Sequence, residues 1–233
     1  MKSTLGNIDA LTSLEELLSV RHQVKEIQKG SFLFREGDRT EGISIIRSGK
    51  IRIEKITPNG RELTLKICGP GQLVGEVTIF SVAPKYMLDA RAIEDTVYLY
   101  MTIKDLEEAM ESNAQLSIAF MKWMGIDQQK TQTKFRDLLL HGKKGALYST
   151  LIRLSNSYGV VQEDGILIDM VLTNQELANF CGMTREVVNR MLGNLKKNGT
   201  INLRDGKIFI HDLEYLKTET NCENCPIYLC KID

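Results

Sequence analysis

From about residue 24 to residue 101, short apolar runs alternate with glycine-centred turns. The runs are Phe32–Phe34, Ile43–Ile46, Ile51–Ile56, Leu63–Cys68, Leu73–Phe80 and Val97–Tyr100. They are punctuated by Glu36-Gly37-Asp38, Ser48-Gly49, Pro58-Asn59-Gly60 and Gly69-Pro70-Gly71. Asn-Gly between two alternating runs is a strong hairpin signal, because both central residues of the favoured turn need positive φ. Many short strands at regular spacing predict a β-sandwich or barrel. Ahead of it, residues 1–20 carry Leu11, Leu14 and Leu18 at helical spacing, which predicts a short helical lead-in.

The period then changes from two to that of a helix. Lys104–Met110 predicts a short helix, and Ala114–Leu140 a long one free of proline. Met124, Gln128, Thr131, Phe135 and Leu138 recur at alternating steps of four and three, a coiled-coil seam with polar members. A solitary helix of this length rarely stands alone in a small protein, so the seam predicts a dimer helix. His141-Gly142-Lys143-Lys144-Gly145 predicts a hinge, and residues 146–158 resume a helical pattern.

The stretch LTNQELANFCGMTREVVNRMLGNLKKNG reads as a helix-turn-helix. Thr173 is an N-cap, and Glu176 completes a capping box. Leu177 and Phe180 face inward, Gly182 makes the turn, and Thr184 caps a second helix. That helix turns Val187, Val188, Met191, Leu192 and Leu195 toward the core. Thr200–Leu203 and Lys207–Ile210, joined by Arg204-Asp205-Gly206, form a wing. Arg185, Glu186, Asn189 and Arg190 occupy the outward face near the start of the second helix, where a recognition helix meets base edges. Arg suits bidentate contact with guanine, and Glu accepts from the cytosine amino group. Lys143, Lys144, Lys196 and Lys197 are candidate phosphate contacts.

Charge makes this reading a local one. Thirty basic residues balance thirty acidic residues, so nucleic-acid binding must rest on a patch and not on the whole surface. The first residues are partly acidic and lack a long apolar run, which argues against a signal peptide, and no segment has the length of a membrane span. A cytoplasmic protein with no membrane partner is expected. None of the three histidines sits in a nucleophile-like motif, and no Gly-rich phosphate loop is present, so an enzyme is not expected.

In a reducing compartment, clustered cysteines point to metal or redox chemistry. Three of the five lie in CENCPIYLC, as Cys222, Cys225 and Cys230. Thiolates bind zinc and iron–sulfur clusters alike, so spacing does not choose between them. A fourth ligand would come from Cys68, Cys181, a carboxylate or a histidine, His141 or His211 being candidates for zinc. Cys68 and Cys181 are better read as packing residues.

The order of β-domain, long helix and winged helix resembles the CRP/FNR family of transcription regulators over roughly residues 20–215. Gly75-Glu76-Val77-x-Ile79-Phe80 looks like the family's cyclic-nucleotide-pocket signature, and Thr184-Arg185-Glu186-Val187-Val188-Asn189-Arg190 like its recognition-helix signature. The implied fold is α+β: a cyclic-nucleotide-binding-like β-barrel of jelly-roll type, a long dimerisation helix and a winged helix-turn-helix. The implied division is lead-in 1–20, β-barrel 21–112, dimerisation helix 113–142, DNA-binding domain 143–215 and cysteine-rich tail 216–233. Members that bind cyclic AMP hold its phosphate with an Arg-Ser pair shortly after the Gly-Glu. Here Tyr86 and Met87 stand at those positions, with Arg91 further along, so no cyclic nucleotide is expected, and Gly75 and Glu76 become structural.

KFRDLLLHGKKGALYSTLIRLSNSYGV and the cysteine tail look like the Bacillus-type Fnr branch. That resemblance implies one oxygen-sensing 4Fe-4S cluster per subunit, held by Cys222, Cys225, Cys230 and Asp137. Read from the residues alone, Asp137 is a helix-end acid paired with a nearby Lys or Arg. The resemblance further implies a homodimer on double-stranded operator DNA that works with RNA polymerase in anaerobic metabolism. Arg185, Glu186 and Arg190 match positions that read a TGTGA-like half-site, while Thr173 and Thr184 flank the same surface. A regulator with a structural zinc site, or one gated by a small molecule in the β-domain, is the alternative.

Overall fold

The computed structural model describes residues 22–76 and 84–233. The lead-in helix expected over residues 1–20 and the signature residues Val77, Ile79 and Phe80 lie outside them. The chain divides into two compact units, one from residue 65 to 127 together with the residues before 61, the other mainly from residue 128 to 232.

In the first unit, β1 (Gln23–Ile27), β2 (Phe32–Phe34), β3 (Gly42–Ser48), β4 (Ile51–Ile56), β5 (Glu62–Cys68), β6 (Leu73–Val74), β7 (Asp89–Ala92) and β8 (Thr96–Thr102) form two four-stranded sheets. Their orders are β1-β8-β3-β6 and β2-β7-β4-β5. Asn59-Gly60 does turn the chain between β4 and β5, with Gly60 at φ +76°. The near-continuous apolar run of β3 follows from a sheet buried on both faces. Ile43 and Ile45, with Leu99 and Met101 of β8, pack on Leu106, Leu116 and Phe120 of α1 (Ile103–Ser112) and α2 (Ala114–Leu140). The opposite face sends Ile46 and Tyr98 into the sandwich core with Phe34, Ile51, Ile53 and Cys68. Cys68 is therefore a packing residue.

Helix α2 has the bounds expected from its sequence and spans about 40 Å at 1.5 Å per residue. Met124, Gln128, Thr131 and Phe135 of the seam are exposed; Leu138 is half-buried, and its neighbour Leu139 is exposed instead. The expected hinge is far shorter than its five residues. Gly142 takes the left-handed conformation, φ +54°, and α3 (Gly142–Tyr158) starts there at once. One glycine interrupts the helical run, so Lys143, Lys144 and Gly145 are free to be helical.

The second unit wraps α3 with α4 (Asn174–Cys181), α5 (Arg185–Lys197), α6 (Leu213–Glu219) and a sheet ordered β11-β12-β10-β9. Its strands are β9 (Gly159–Gln162), β10 (Gly165–Val171), β11 (Ile201–Arg204) and β12 (Lys207–Ile210). The wing is thus four-stranded. The β9–β10 pair did not emerge from the sequence, because short apolar runs such as Ile166–Ile168 fit helix and strand alike. At the β11–β12 turn Asp205 and Gly206 both have positive φ, +49° and +76°, as an Asp-Gly hairpin requires.

Candidate functional site

Helices α4 and α5 build the DNA-facing motif. Thr173 caps α4 with a full capping box: its hydroxyl accepts from Glu176 N–H, and the Glu176 carboxylate accepts from Thr173 N–H. Gly182 ends α4 at φ +60° and donates to the Ala178 carbonyl. Thr184 stands at the N-cap of α5 with extended backbone, but its side chain makes no cap bond. Its hydroxyl serves the Glu186 carboxylate instead, and this bond, after the helix-end N–H of Glu186 itself, lowers the pKa of that acid. Thr184 thus holds the expected N-cap position, with its hydroxyl turned to a side chain and not to the backbone. Val188, Leu192 and Leu195 are buried, while Val187 and Met191 are half-buried. Arg185, Glu186, Asn189 and Arg190 all face solvent, and Asn189 accepts from Asn174 at the start of α4. Lys196 and Lys197 are exposed, whereas Lys144 is ion-paired with Glu219. Cys181 is buried against the Ala146 carbonyl and Thr150, and burial pushes its thiol up to about 11, so it too is a packing residue.

The three tail cysteines come together elsewhere in the second unit. After α6 the chain turns twice through left-handed asparagines, Asn221 at φ +45° and Asn224 at φ +53°, one on each side of Cys222 and Glu223. Asparagine tolerates this region better than most residues. A further turn, in which Leu229 and Cys230 donate to the Pro226 carbonyl, returns Cys230 toward Cys225. Cys222, Cys225 and Cys230 then line one cavity with Asp137 at the end of α2. Arg136, Arg153, Thr220 and the α3 residues Ser149 and Ile152 complete its wall. Neither His141 nor His211 lines it; His211 sits on the wing beside Asp164.

Asp137 has both of the environments considered for it. It lines the cysteine cavity, and it is ion-paired: Arg153 Nη2 donates to Oδ2 at 2.7 Å, and Arg136 donates through Nη2 and Nε to Oδ1 at 2.9 and 3.2 Å. A carboxylate offers about four lone-pair sites. Three are taken, which leaves one on Oδ2. Burial disfavours the charged Arg136 guanidinium, but its bonds to Asp137 and Cys225 outweigh this and raise its pKa. Burial also raises the Cys230 thiol, opposed by the charge of Arg153.

Arg153 was missed in the sequence. A signal was present: an arginine set in the apolar run Leu151-Ile152-Arg153-Leu154 must find a buried partner. The donor set, three thiols and a carboxylate with a free lone pair around one space, is of the type that an iron–sulfur cluster takes. Among the described residues, no three His, Cys, Asp or Glu side chains converge closely enough to hold a single metal ion.

No helix among the described residues is long and apolar enough to cross a membrane. Residues 24–113 match the cyclic nucleotide-binding domain model, and residues 145–219 the Crp-like helix-turn-helix domain model. The chain is 52% identical to the anaerobic regulatory protein of Bacillus subtilis, over 95% of this chain and 94% of that protein. It is 27% identical to a CRP-like cAMP-activated global transcriptional regulator of Mycobacterium tuberculosis, over 85% and 88% of the two chains. Among solved structures, the c-di-GMP responsive global regulator CLP of Xanthomonas campestris superposes with a TM-score of 0.73 at 21% identity, covering 86% of this chain and 99% of that one. FixK2 of Bradyrhizobium japonicum gives 0.72 at 17% identity, covering 85% and 97%. The last two establish the shared fold, and the Bacillus relative the family: this chain belongs to the CRP/FNR family of transcription regulators.

Proposed function

We propose that the protein is an oxygen-responsive, homodimeric DNA-binding regulator of anaerobic metabolism, in which one 4Fe-4S cluster per subunit, held by Cys222, Cys225, Cys230 and Asp137, controls binding to a TGTGA-like inverted repeat. The observation that carries the reading is the shared cavity of the three tail thiols and Asp137. The anaerobic role rests on the 52% identical Bacillus subtilis protein, which is named an anaerobic regulatory protein. A cluster bound there would supply the reactivity toward oxygen. The chain's own part is to hold it by three thiolates and one harder, weaker carboxylate ligand, which opens more readily.

Asp137 lies at the end of α2, and the cysteines follow α6, so occupancy ties the C-terminal end of the dimer helix to the tail within the second unit. Two recognition helices are then held at the spacing of successive major grooves, about 34 Å. Met121, Met124, Phe135 and Leu139 are exposed on α2, an apolar stripe suited to a second copy. Arg185, Glu186 and Arg190 read the half-site, with Thr173, Thr184 and Asn189 beside them, and RNA polymerase is the partner through which the bound dimer acts. Such a regulator works in the cytoplasm and is not an enzyme.

The β-domain takes no cyclic nucleotide in this reading. Tyr86, where cyclic AMP binders carry a phosphate-binding arginine, is buried. Its ring stacks on Phe34 at 3.7 Å, and its hydroxyl donates to the Gly42 carbonyl. Glu76 accepts from Met87 N–H, a bond that supports a structural use for it.

Anaerobic reconstitution with iron and sulfide, followed by absorbance and operator-binding measurements, tests the function. Colour and iron appear together with tight binding to the inverted repeat. Equal binding by cluster-free protein, or intact activity after Cys222→Ala, Cys225→Ala or Cys230→Ala, overturns it. A colourless protein containing zinc establishes the zinc-stapled alternative.

A further inference from the structure

Arg153 is only 2% exposed, yet its charged guanidinium joins two separate pieces of chain, α2 and the tail. Nη2 donates to Asp137 Oδ2 at 2.7 Å and to Thr133 Oγ1 at 3.3 Å, both on α2. Nη1 donates to the Leu229 carbonyl in the tail at 3.1 Å. Its Nε, also buried, has no hydrogen-bond partner, although the side chain lines the cysteine cavity. Arg136 approaches from the more open side. It holds the other oxygen of Asp137, pairs with Glu223, and places Nη2 3.8 Å and Nη1 3.9 Å from Cys225 Sγ.

The tail has further anchors that involve no cysteine side chain. Asn156 Nδ2 donates to the Cys230 carbonyl at 2.7 Å, Ile232 N–H donates to Ser157 Oγ at 3.0 Å, and Ile232 is buried. With Arg153 these form a row along α3. The end of the tail is therefore fastened to α3 independently of any group in the cavity.

We propose that Arg153 and Arg136 are positioning residues for the cluster site: they aim the Asp137 carboxylate at the cavity, set two fixed positive charges against an anionic ligand set, and, through Arg153, fasten the tail to α3 before the cluster arrives. The inference rests on the cluster reading above. Three thiolates and a carboxylate carry four negative charges, which the cationic iron–sulfur core would offset only in part, and guanidiniums are suited to compensate the remainder because they stay protonated and donate in a planar fork. Hydrogen bonds and charge near the sulfurs also set the potential and stability of such clusters. Groups that orient a ligand without touching the metal are commonly worth about 10-fold to 100-fold in metal affinity.

The test uses the full-length protein with Arg153→Met, Arg153→Lys, Arg136→Gln and Arg136→Lys. In reduced, cluster-free protein, amide exchange of residues 229–232 speeds up in the Arg153 variants and not in Arg136→Gln. In anaerobically reconstituted protein, Arg153→Met and Arg136→Gln shorten the half-time of cluster absorbance in air by about 10-fold to 100-fold. The midpoint potential falls in both, since a positive charge has been removed, and Arg136→Lys restores much of it. Should Arg153→Met fail to fold, Arg153→Lys and the half-buried Arg136 positions carry the comparison. Wild type that takes up the cluster while the variants keep it as long, at an unchanged potential, overturns the positioning role alone. Unchanged exchange at residues 229–232 overturns the fastening role. Wild type that binds no iron overturns the functional reading, and the charge role with it.

Discussion

Asp137 and Arg153 meet at 2.7 Å across the junction of α2 and α3, and both are almost wholly buried, 7% and 2% exposed. A buried pair of this kind is weak evidence of net stabilisation, but removing one partner strands the other charge. Asp137→Ala leaves the Arg153 fork facing Thr133 and the Leu229 carbonyl only. Loss of about 3 kcal/mol is expected in urea unfolding of the reduced, cluster-free protein. The double replacement Asp137→Ala with Arg153→Met should cost less than the sum of the singles. Additive effects would mean that the two residues are not coupled.

The same pair marks how far the sequence could be read. Local signals were legible: the bounds of α2, the capping box at Thr173, the turn at Gly182 and the Asp205-Gly206 hairpin each depend on residues a few positions apart. Arg153 depends on Asp137 one helix earlier and on Leu229 far down the chain, and no periodicity encodes such a triangle. Tyr86 shows the same divide. Its replacement of a phosphate-binding position was visible, whereas its flat stacking on Phe34 arises from the pairing of β2 with β7, which is non-local. Thr184 holds its legible cap position, yet its hydroxyl has a nearby carboxylate, Glu186, to serve instead of the backbone.

The capping box gives a prediction that does not depend on any cofactor. Thr173 is exposed, so Thr173→Ala removes the cap without opening the core. A cost of about 1 kcal/mol is expected, read as a lower midpoint in urea unfolding with an unchanged slope. A cost near zero would mean that water replaces the hydroxyl without penalty.

Burial raises the Tyr86 hydroxyl to about 12 from its ordinary value of 10.0. The folded form therefore keeps its proton where the unfolded chain has lost it. Stability is unaffected below pH 10, falls as pH rises through the interval up to about 12, and levels above it. Burial raises Tyr98 and Tyr100 in the same direction. In Tyr86→Phe the alkaline slope should become shallower, alongside a loss of about 1 kcal/mol at neutral pH for the bond to the Gly42 carbonyl. Unfolding curves collected between pH 8 and pH 12 make the comparison. An unchanged slope would remove Tyr86 as its source.

In the proposed half-site reading the discriminating residue is Arg185, the first residue of α5, exposed and free of the core packing carried by Val188, Leu192 and Leu195. A bidentate arginine–guanine contact is worth about 1–3 kcal/mol against the wrong base. Arg185→Ala should lose that much at one G·C pair of each half-site and leave variant operators changed at that pair almost unaffected. The salt dependence of binding should stay nearly the same, because the neutralised phosphates belong to other side chains, among them the exposed Lys196 and Lys197. Lys197→Ala should do the reverse, weakening all sequences evenly and reducing the salt slope by about one. Competition binding over a set of single-base operator variants at several salt concentrations separates the two patterns. If Arg185→Ala weakens every variant equally, the residue touches the backbone, and base reading passes to Glu186 and Arg190.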